Sequence, residues 1–178
     1  GSWALILSAC CHMRRVASIG SEARARMIRL AAEEDAMTDA AVPQWSHVGL
    51  CVSDLERSIR FYCDGLGCER AERFELDGSW VPGLAEALEV TPPAVIVSQM
   101  VTSGRLKIEL LGWSSPKPEG APSTRRNQLG LTHLSFHVDD VDRVAKRLVE
   151  FGATLLPDTR QSPGIDLVFL ADPDGTRI

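Results

Sequence analysis

Two stretches of this chain spell the same pattern, and that repeat limits the folds open to it more than any other feature. Ser46-His47-Val48-Gly49-Leu50-Cys51-Val52-Ser53-Asp54 and Thr132-His133-Leu134-Ser135-Phe136-His137-Val138-Asp139-Asp140 align without a gap. With His47 laid on His133, Val52 falls on Val138, Asp54 on Asp140, Leu55 on Val141 and Arg57 on Arg143. Two copies are too few for a solenoid, which needs at least three stacked units. The repeat therefore predicts one domain made of two related halves.

Each copy reads as the start of a strand followed by a helix. Side chains alternate between the faces of a strand, so Val48, Leu50 and Val52 share one face, as do Leu134, Phe136 and Val138. Those apolar faces should pack against helices. The opposite faces carry His47, Gly49 and Cys51 in one copy and His133, Ser135 and His137 in the other. A single strand histidine is ordinarily a half-buried side chain with local hydrogen bonds. A matched pair at the head of both halves is what a two-sided metal cavity needs, because neutral imidazole is the commonest metal ligand.

Composition excludes several function classes. The chain has 178 residues and a net charge of −5, with no basic face interleaved with aromatics, so nucleic acid is not an expected partner. The longest apolar run, Trp3 to Leu7, is far short of the ~20 residues a membrane span needs. Five cysteines without a CxxC pair point to reduced thiols in a cytoplasmic protein rather than to a disulfide framework or a zinc ribbon.

Residues 1–44 read as an N-terminal extension. Gly1-Ser2 has the look of a cloning scar, and the Ala-, Arg- and Glu-rich stretch 22–37 predicts a weakly amphipathic helix. Leu7-Ser8-Ala9-Cys10 resembles a lipoprotein cleavage site, but Arg14 and Arg15 follow the apolar run instead of preceding it. Met37 offers an internal start, which makes residues 1–36 an upstream extension. The domain proper should span 45–178, with module one at 45–112, a linker at 113–128 and module two at 129–178.

In module one, Ser53-Asp54-Leu55-Glu56 fits a capping box, and Leu55, Ile59 and Tyr62 fall on one helical face. Asp64-Gly65-Leu66-Gly67 should stop that helix. Strands are expected at 70–76, 94–100 and 104–111, with a loop over 77–93. On the last strand Leu106, Ile108 and Leu110 face the core, which turns Lys107 and Glu109 the other way, toward solvent or toward a cavity shared with His47. Module two repeats the plan. Asp139 or Asp140 caps a helix ending at Gly152, strands are expected at 154–156 and 166–170, and Asp172-Pro173-Asp174-Gly175 is a turn.

The chain from Trp45 to Ile178 resembles the vicinal oxygen chelate superfamily, in its glyoxalase I and methylmalonyl-CoA epimerase branch. The features that carry the resemblance are His47-Val-Gly-Leu, Phe61-Tyr62-Cys63-Asp64-Gly65-Leu66-Gly67, Ile108-Glu109-Leu110-Leu111, Gly130-Leu-Thr-His133, Val138-Asp139-Asp140-Val141 and Asp172-Pro173-Asp174-Gly175-Thr176. It implies an α+β fold of two βαβββ modules forming a half-open barrel around a metal site. Carried over residue by residue, it implies His47, Glu109 and His133 as metal ligands. The fourth ligand of those branches follows Thr176-Arg177-Ile178, as Glu109 follows Leu106-Lys107-Ile108, so the expectation is a glutamate just past Ile178 and a last strand truncated in this sequence. His137 is an additional histidine on the cavity face and a candidate substrate contact.

The implied activity is that of a metal-dependent lyase or isomerase moving a proton beside a metal-chelated carbonyl. Glu109 is the candidate general base, and one divalent ion (Zn, Ni, Co, Mn or Fe) is the cofactor. The implied partners are a small-molecule substrate with two vicinal oxygens and a second copy of the chain in a homodimer. Two other classes remain open: an extradiol-type dioxygenase with a two-His-one-carboxylate iron site, and a metal-free binding or resistance protein. Trp80, Trp113, Arg125 and Arg126 are candidates for lining or gating the cavity, with a plain surface role as the alternative.

Overall fold

The structure, a computed structural model, describes residues 44–161 and 163–178. The extension expected at 1–44, with its helix at 22–37, lies outside the described residues except for Gln44.

Module one forms a complete βαβββ unit. Strand β1 (Val48–Val52) leads into helix α1 (Leu55–Ile59), which continues as a π-helical turn over Arg60–Gly65. Strand β2 (Glu69–Asp77), the short helix α2 (Leu84–Ala87), β3 (Val95–Ser103) and β4 (Leu106–Ser115) follow. The sheet order is β1-β4-β3-β2, with β1 parallel to β4 and the other neighbours antiparallel. Strand β4 runs to Ser115, so the linker starts later than the expected 113. Trp113 pairs with Ile96 and packs over a small second cluster built on Leu84, Ala85 and Ala94.

The helix start differs from the capping box. Asp54, not Ser53, is the N-cap, and its side chain accepts from Arg57 N at 2.9 Å. Asp140 repeats this by accepting from Arg143 N at 2.9 Å. Ser53 and Glu56 are engaged elsewhere, Ser53 with Asp174 and Glu56 with Arg73. The π-helical turn also explains a core residue that a 3.6-residue period misses. Leu66 N donates to Phe61 O five residues back, and this wider turn lets the adjacent Phe61 and Tyr62 both be fully buried.

The second module departs from expectation at its first strand. Helix α3 (Val141–Glu150), β5 (Thr154–Gln161) and β6 (Leu167–Ala171) form, but residues 134–138 are not a β-strand. Backbone bonds nevertheless repeat the module-one order. Leu134 N donates to Arg177 O at 2.9 Å, and Leu170 and Ile178 exchange bonds of 2.9 and 3.0 Å. Thr176–Ile178 thus stands where β4 stands in module one. Three residues against the ten of β4 leave the backbone of 135–138 without a ladder partner among the described residues, and a strand needs that partner to satisfy its N–H and C=O groups.

Both modules share one core. Leu50, Val52, Ile59, Phe61, Tyr62, Ile108 and Leu110 of module one pack with Leu134, Ala145, Leu148 and Leu170 of module two. The result is α+β, as expected, with a four-stranded and a two-stranded sheet and no closed barrel among the described residues. One close approach fixes α1 on the sheet. A Cβ on Gly112 would stand 2.8 Å from Leu55 Cβ, so Gly112→Ala forces helix and strand apart. The expected loss is about 1–3 kcal/mol, the usual range for overpacking, read as a lower urea midpoint at unchanged slope. An unchanged midpoint would show that α1 shifts freely.

Candidate metal and active site

Glu109 lies at the centre of β4, and its position contradicts its chemistry unless it has partners. It is 4% exposed, and a carboxylate that deep needs hydrogen bonds or a counter-charge. It has two polar contacts. Ser98 Oγ on β3 donates to Oε1 at 2.6 Å, and His47 Nε2 lies 3.1 Å from Oε2. The strand pattern explains the meeting, because Gly49 pairs with Glu109 in the β1–β4 register and His47 immediately precedes β1. Gly49 keeps this face open, since a Cβ there would stand 3.9 Å from Glu109 Oε2.

The two histidines are held alike. Ser46 Oγ lies 2.9 Å from His47 Nδ1, and Thr132 Oγ1 lies 2.9 Å from His133 Nδ1. A partner on Nδ1 fixes the ring and leaves Nε2 to bind outward, which is how ligating histidines are oriented. The hydroxyl preceding each histidine is visible in the repeat, but sequence reasoning passed over it. It also missed Ser98, which only the β3–β4 register places beside Glu109.

His133 is exposed, with its ring edge-on to Phe169 at 5.3 Å between centroids. It lines an inter-module cavity of about 220 Å³ together with Gly49 and Cys51 of β1, Ser123, Thr132, Thr176 and Arg177. The structure therefore joins His47 to Glu109 directly and puts His133 across the cavity that Gly49 lines. Among the described residues, no group of three or more His, Cys, Asp or Glu side chains is gathered closely enough to hold a metal ion. His137 is exposed and lines a separate cleft of about 230 Å³ between residues 133–138, α3 and β6.

Of the other candidates, Arg126 touches the neighbourhood of the site. Its guanidinium sits 5.8 Å from the Phe169 ring centroid and donates to the carbonyls of Thr132 and Ser123. Arg125 and Trp80 are exposed, and Trp113 belongs to the second cluster.

The His47–Glu109 pair, though not a set of three donors, is spaced as two ligands of one divalent ion would be. Two ligands at ~2.0–2.2 Å from one ion, separated by a right or tetrahedral angle, stand about 2.8–3.6 Å apart. The 3.1 Å between His47 Nε2 and Glu109 Oε2 falls in that range. Imidazole and carboxylate together suit Zn, Ni, Co, Mn or Fe.

A buried polar network locks the modules together beside this site. Tyr62 OH donates to Asp172 Oδ2 at 2.9 Å, and Asp172 Oδ1 accepts from the backbone N–H groups of Asp174 and Thr176 at 2.9 and 2.8 Å. Burial, reinforced by the neighbouring Asp172 charge, pushes the Tyr62 phenol well above its ordinary range, so it stays a donor. Asp174 then takes Arg57 at 2.6 Å and the Ser53 backbone N–H at 3.1 Å.

Comparison with known proteins agrees with this architecture. Residues 44–178 match the Glyoxalase/Bleomycin resistance protein/Dioxygenase superfamily. The chain belongs to that superfamily. It is 32% identical over 136 residues to the uncharacterized protein YaeR of Escherichia coli, covering 74% of this chain and 90% of that one. It is 28% identical over 131 residues to a 2-epi-5-epi-valiolone epimerase from Actinomyces, covering 72% of this chain and 62% of the epimerase. It is 26% identical over 151 residues to glyoxylase I 4 of Arabidopsis thaliana, covering 82% and 74%. A glyoxalase family protein from Bacillus cereus shares the fold, with a TM-score of 0.65, 23% identity and coverage of 79% and 94%. No helix among the described residues is long and apolar enough to cross a membrane.

Proposed function

We propose that the chain is a metal-dependent lyase or isomerase that moves a proton on a small molecule carrying two vicinal oxygens. The observation that supports this most is the buried Glu109 carboxylate, held by Ser98 on one oxygen and facing His47 on the other. His47, Glu109 and His133 are the proposed ligands. A bound divalent ion supplies Lewis-acid polarisation of the substrate carbonyl. Glu109 is also the proposed general base: its Ser98 bond fixes Oε1, and Oε2, which would otherwise ligate the ion, takes the proton. Ser46 and Thr132 hold the rings of His47 and His133 in place.

The relatives named as an epimerase and a glyoxylase favour lyase or isomerase chemistry over oxygenation. The test is a screen of α-hydroxycarbonyl and dicarbonyl compounds in D2O with the metal-loaded full chain, read by NMR. The expected result is metal-dependent incorporation of deuterium at the carbon next to the carbonyl. Oxygen uptake with a catechol instead would assign a dioxygenase.

The chain is also proposed to work as a homodimer, since His133 is not within one coordination sphere of His47 and Glu109. If the second copy supplies His133, mixing His47→Ala and His133→Ala chains restores one of the two sites in each mixed dimer. If each site is built within one chain, mixing restores none.

A further inference from the structure

Arg177 stands out on the wall of the inter-module cavity. It comes from the three-residue segment that pairs with Leu134, and it lines the cavity beside Thr176, Thr132, His133, Ser123 and Cys51. Among the described residues, one of its donors has a partner: Nη1 donates to Gly175 O at 3.1 Å. A guanidinium carries five N–H donors in a fixed fork. Among the described residues, no carboxylate side chain lines this cavity. On module two, Asp174 is already engaged by Arg57 at 2.6 Å and by both donors of Ser53, and Asp172 accepts from Tyr62 and from the Asp174 and Thr176 backbone N–H groups. The Glu109 carboxylate, behind Gly49, is likewise engaged by Ser98 and His47.

A cavity with one partly buried cation, three hydroxyls, an imidazole and no lining carboxylate is complementary to an oxyanion. We infer that Arg177 is the anchor for an oxyanion on the substrate, a carboxylate or a phosphate ester, gripped by its guanidinium fork and by the hydroxyls of Thr132 and Thr176. Guanidinium pairs with both groups through two parallel N–H···O bonds, which lysine does not reproduce. The anchored end lies on the module-two wall, leaving the neutral, oxygen-bearing part of the molecule to face Glu109 across Gly49. The inference deepens the proposed function, since it gives the charge class of the substrate for the same cavity.

The test is an NMR titration of the full chain with pyruvate and, separately, with methyl phosphate, at constant ionic strength and both with and without EDTA. The expected result is a saturable shift of the Thr132, His133 and Arg177 amides with at least one probe, retained in EDTA. Saturation by pyruvate alone or by methyl phosphate alone assigns the anion as carboxylate or phosphate. Arg177→Met should weaken binding at least tenfold, and Arg177→Lys should restore part of it. No saturable shift with either probe overturns the inference, as does equal affinity in Arg177→Met. Binding that disappears in EDTA also overturns it, because the anion would then sit on the metal and not on Arg177. Metal content is measured on the same samples, so loss of metal with anion binding intact would remove the proposed chemistry and leave the anion site standing.

Discussion

Glu109→Gln is expected to lower turnover by ~10²–10⁴-fold, the range that a positioned general base contributes, and to weaken metal binding in the same variant. The fold should survive. Gln keeps the length of the side chain, its amide oxygen still accepts from Ser98 Oγ, and its amide group still reaches His47. Thermal and urea unfolding should therefore stay close to wild type while activity collapses. Replacing Ser98 with Ala should give a smaller loss, because it frees one carboxylate oxygen without removing the base. Full activity in Glu109→Gln would mean that this buried carboxylate is neither ligand nor base.

The largest effect on stability is expected at Asp172, which is 4% exposed. Asp172→Ala leaves the Tyr62 hydroxyl and two backbone N–H groups without an acceptor. Each buried donor left unpaired costs about 1–3 kcal/mol, and water reaches some of them, so the expected loss is about 3–5 kcal/mol in total. Tyr62→Phe removes one of the three donors along with its need for an acceptor, and should cost about 1 kcal/mol.

The pH dependence has a definite sign. Burial raises the Asp172 carboxyl above its ordinary 3.8, while its hydrogen bonds from Tyr62 and the Thr176 and Asp174 amides pull it back only in part. The folded state then binds the proton more tightly than the unfolded state. The contribution is fully present below about 3.8, and it is lost as pH rises through the folded value. Asp172→Asn should flatten that segment of the stability–pH curve. An unchanged curve would show that the carboxyl is ordinary.

The repeat carried most of the fold. Alternation in Val48–Val52 and Leu106–Leu110 placed the buried faces of β1 and β4, and the two N-cap aspartates lie where the alignment of the halves puts them. What it missed has local causes. A regular helical period cannot report a π-helical turn, so Phe61 was not expected beside Tyr62 in the core. Capping-box spacing cannot report that Ser53 is drawn to Asp174, a partner 121 residues away. A strand reading of residues 134–138 assumes a neighbour, and among the described residues Thr176–Ile178 pairs with Leu134 alone of them.

The candidate site was proposed from residue types, and its geometry could not be read from them. His47 and Glu109 meet because β1 and β4 are parallel neighbours, which spacing alone does not reveal. Ser98 and Arg177 carry no motif and emerge only from the sheet register and the cavity wall.

The central claim is that His47, Glu109 and His133 form a divalent-metal site, and equilibrium metal titration tests it most directly. Wild-type chain, His47→Ala and His133→Ala would be titrated with Zn, Ni, Co, Mn and Fe(II), with folding checked by circular dichroism. The account predicts one ion per chain in the wild type and at least a hundredfold weaker binding in each folded variant. No saturable binding in the wild type, or equal affinity in all three proteins, would contradict it.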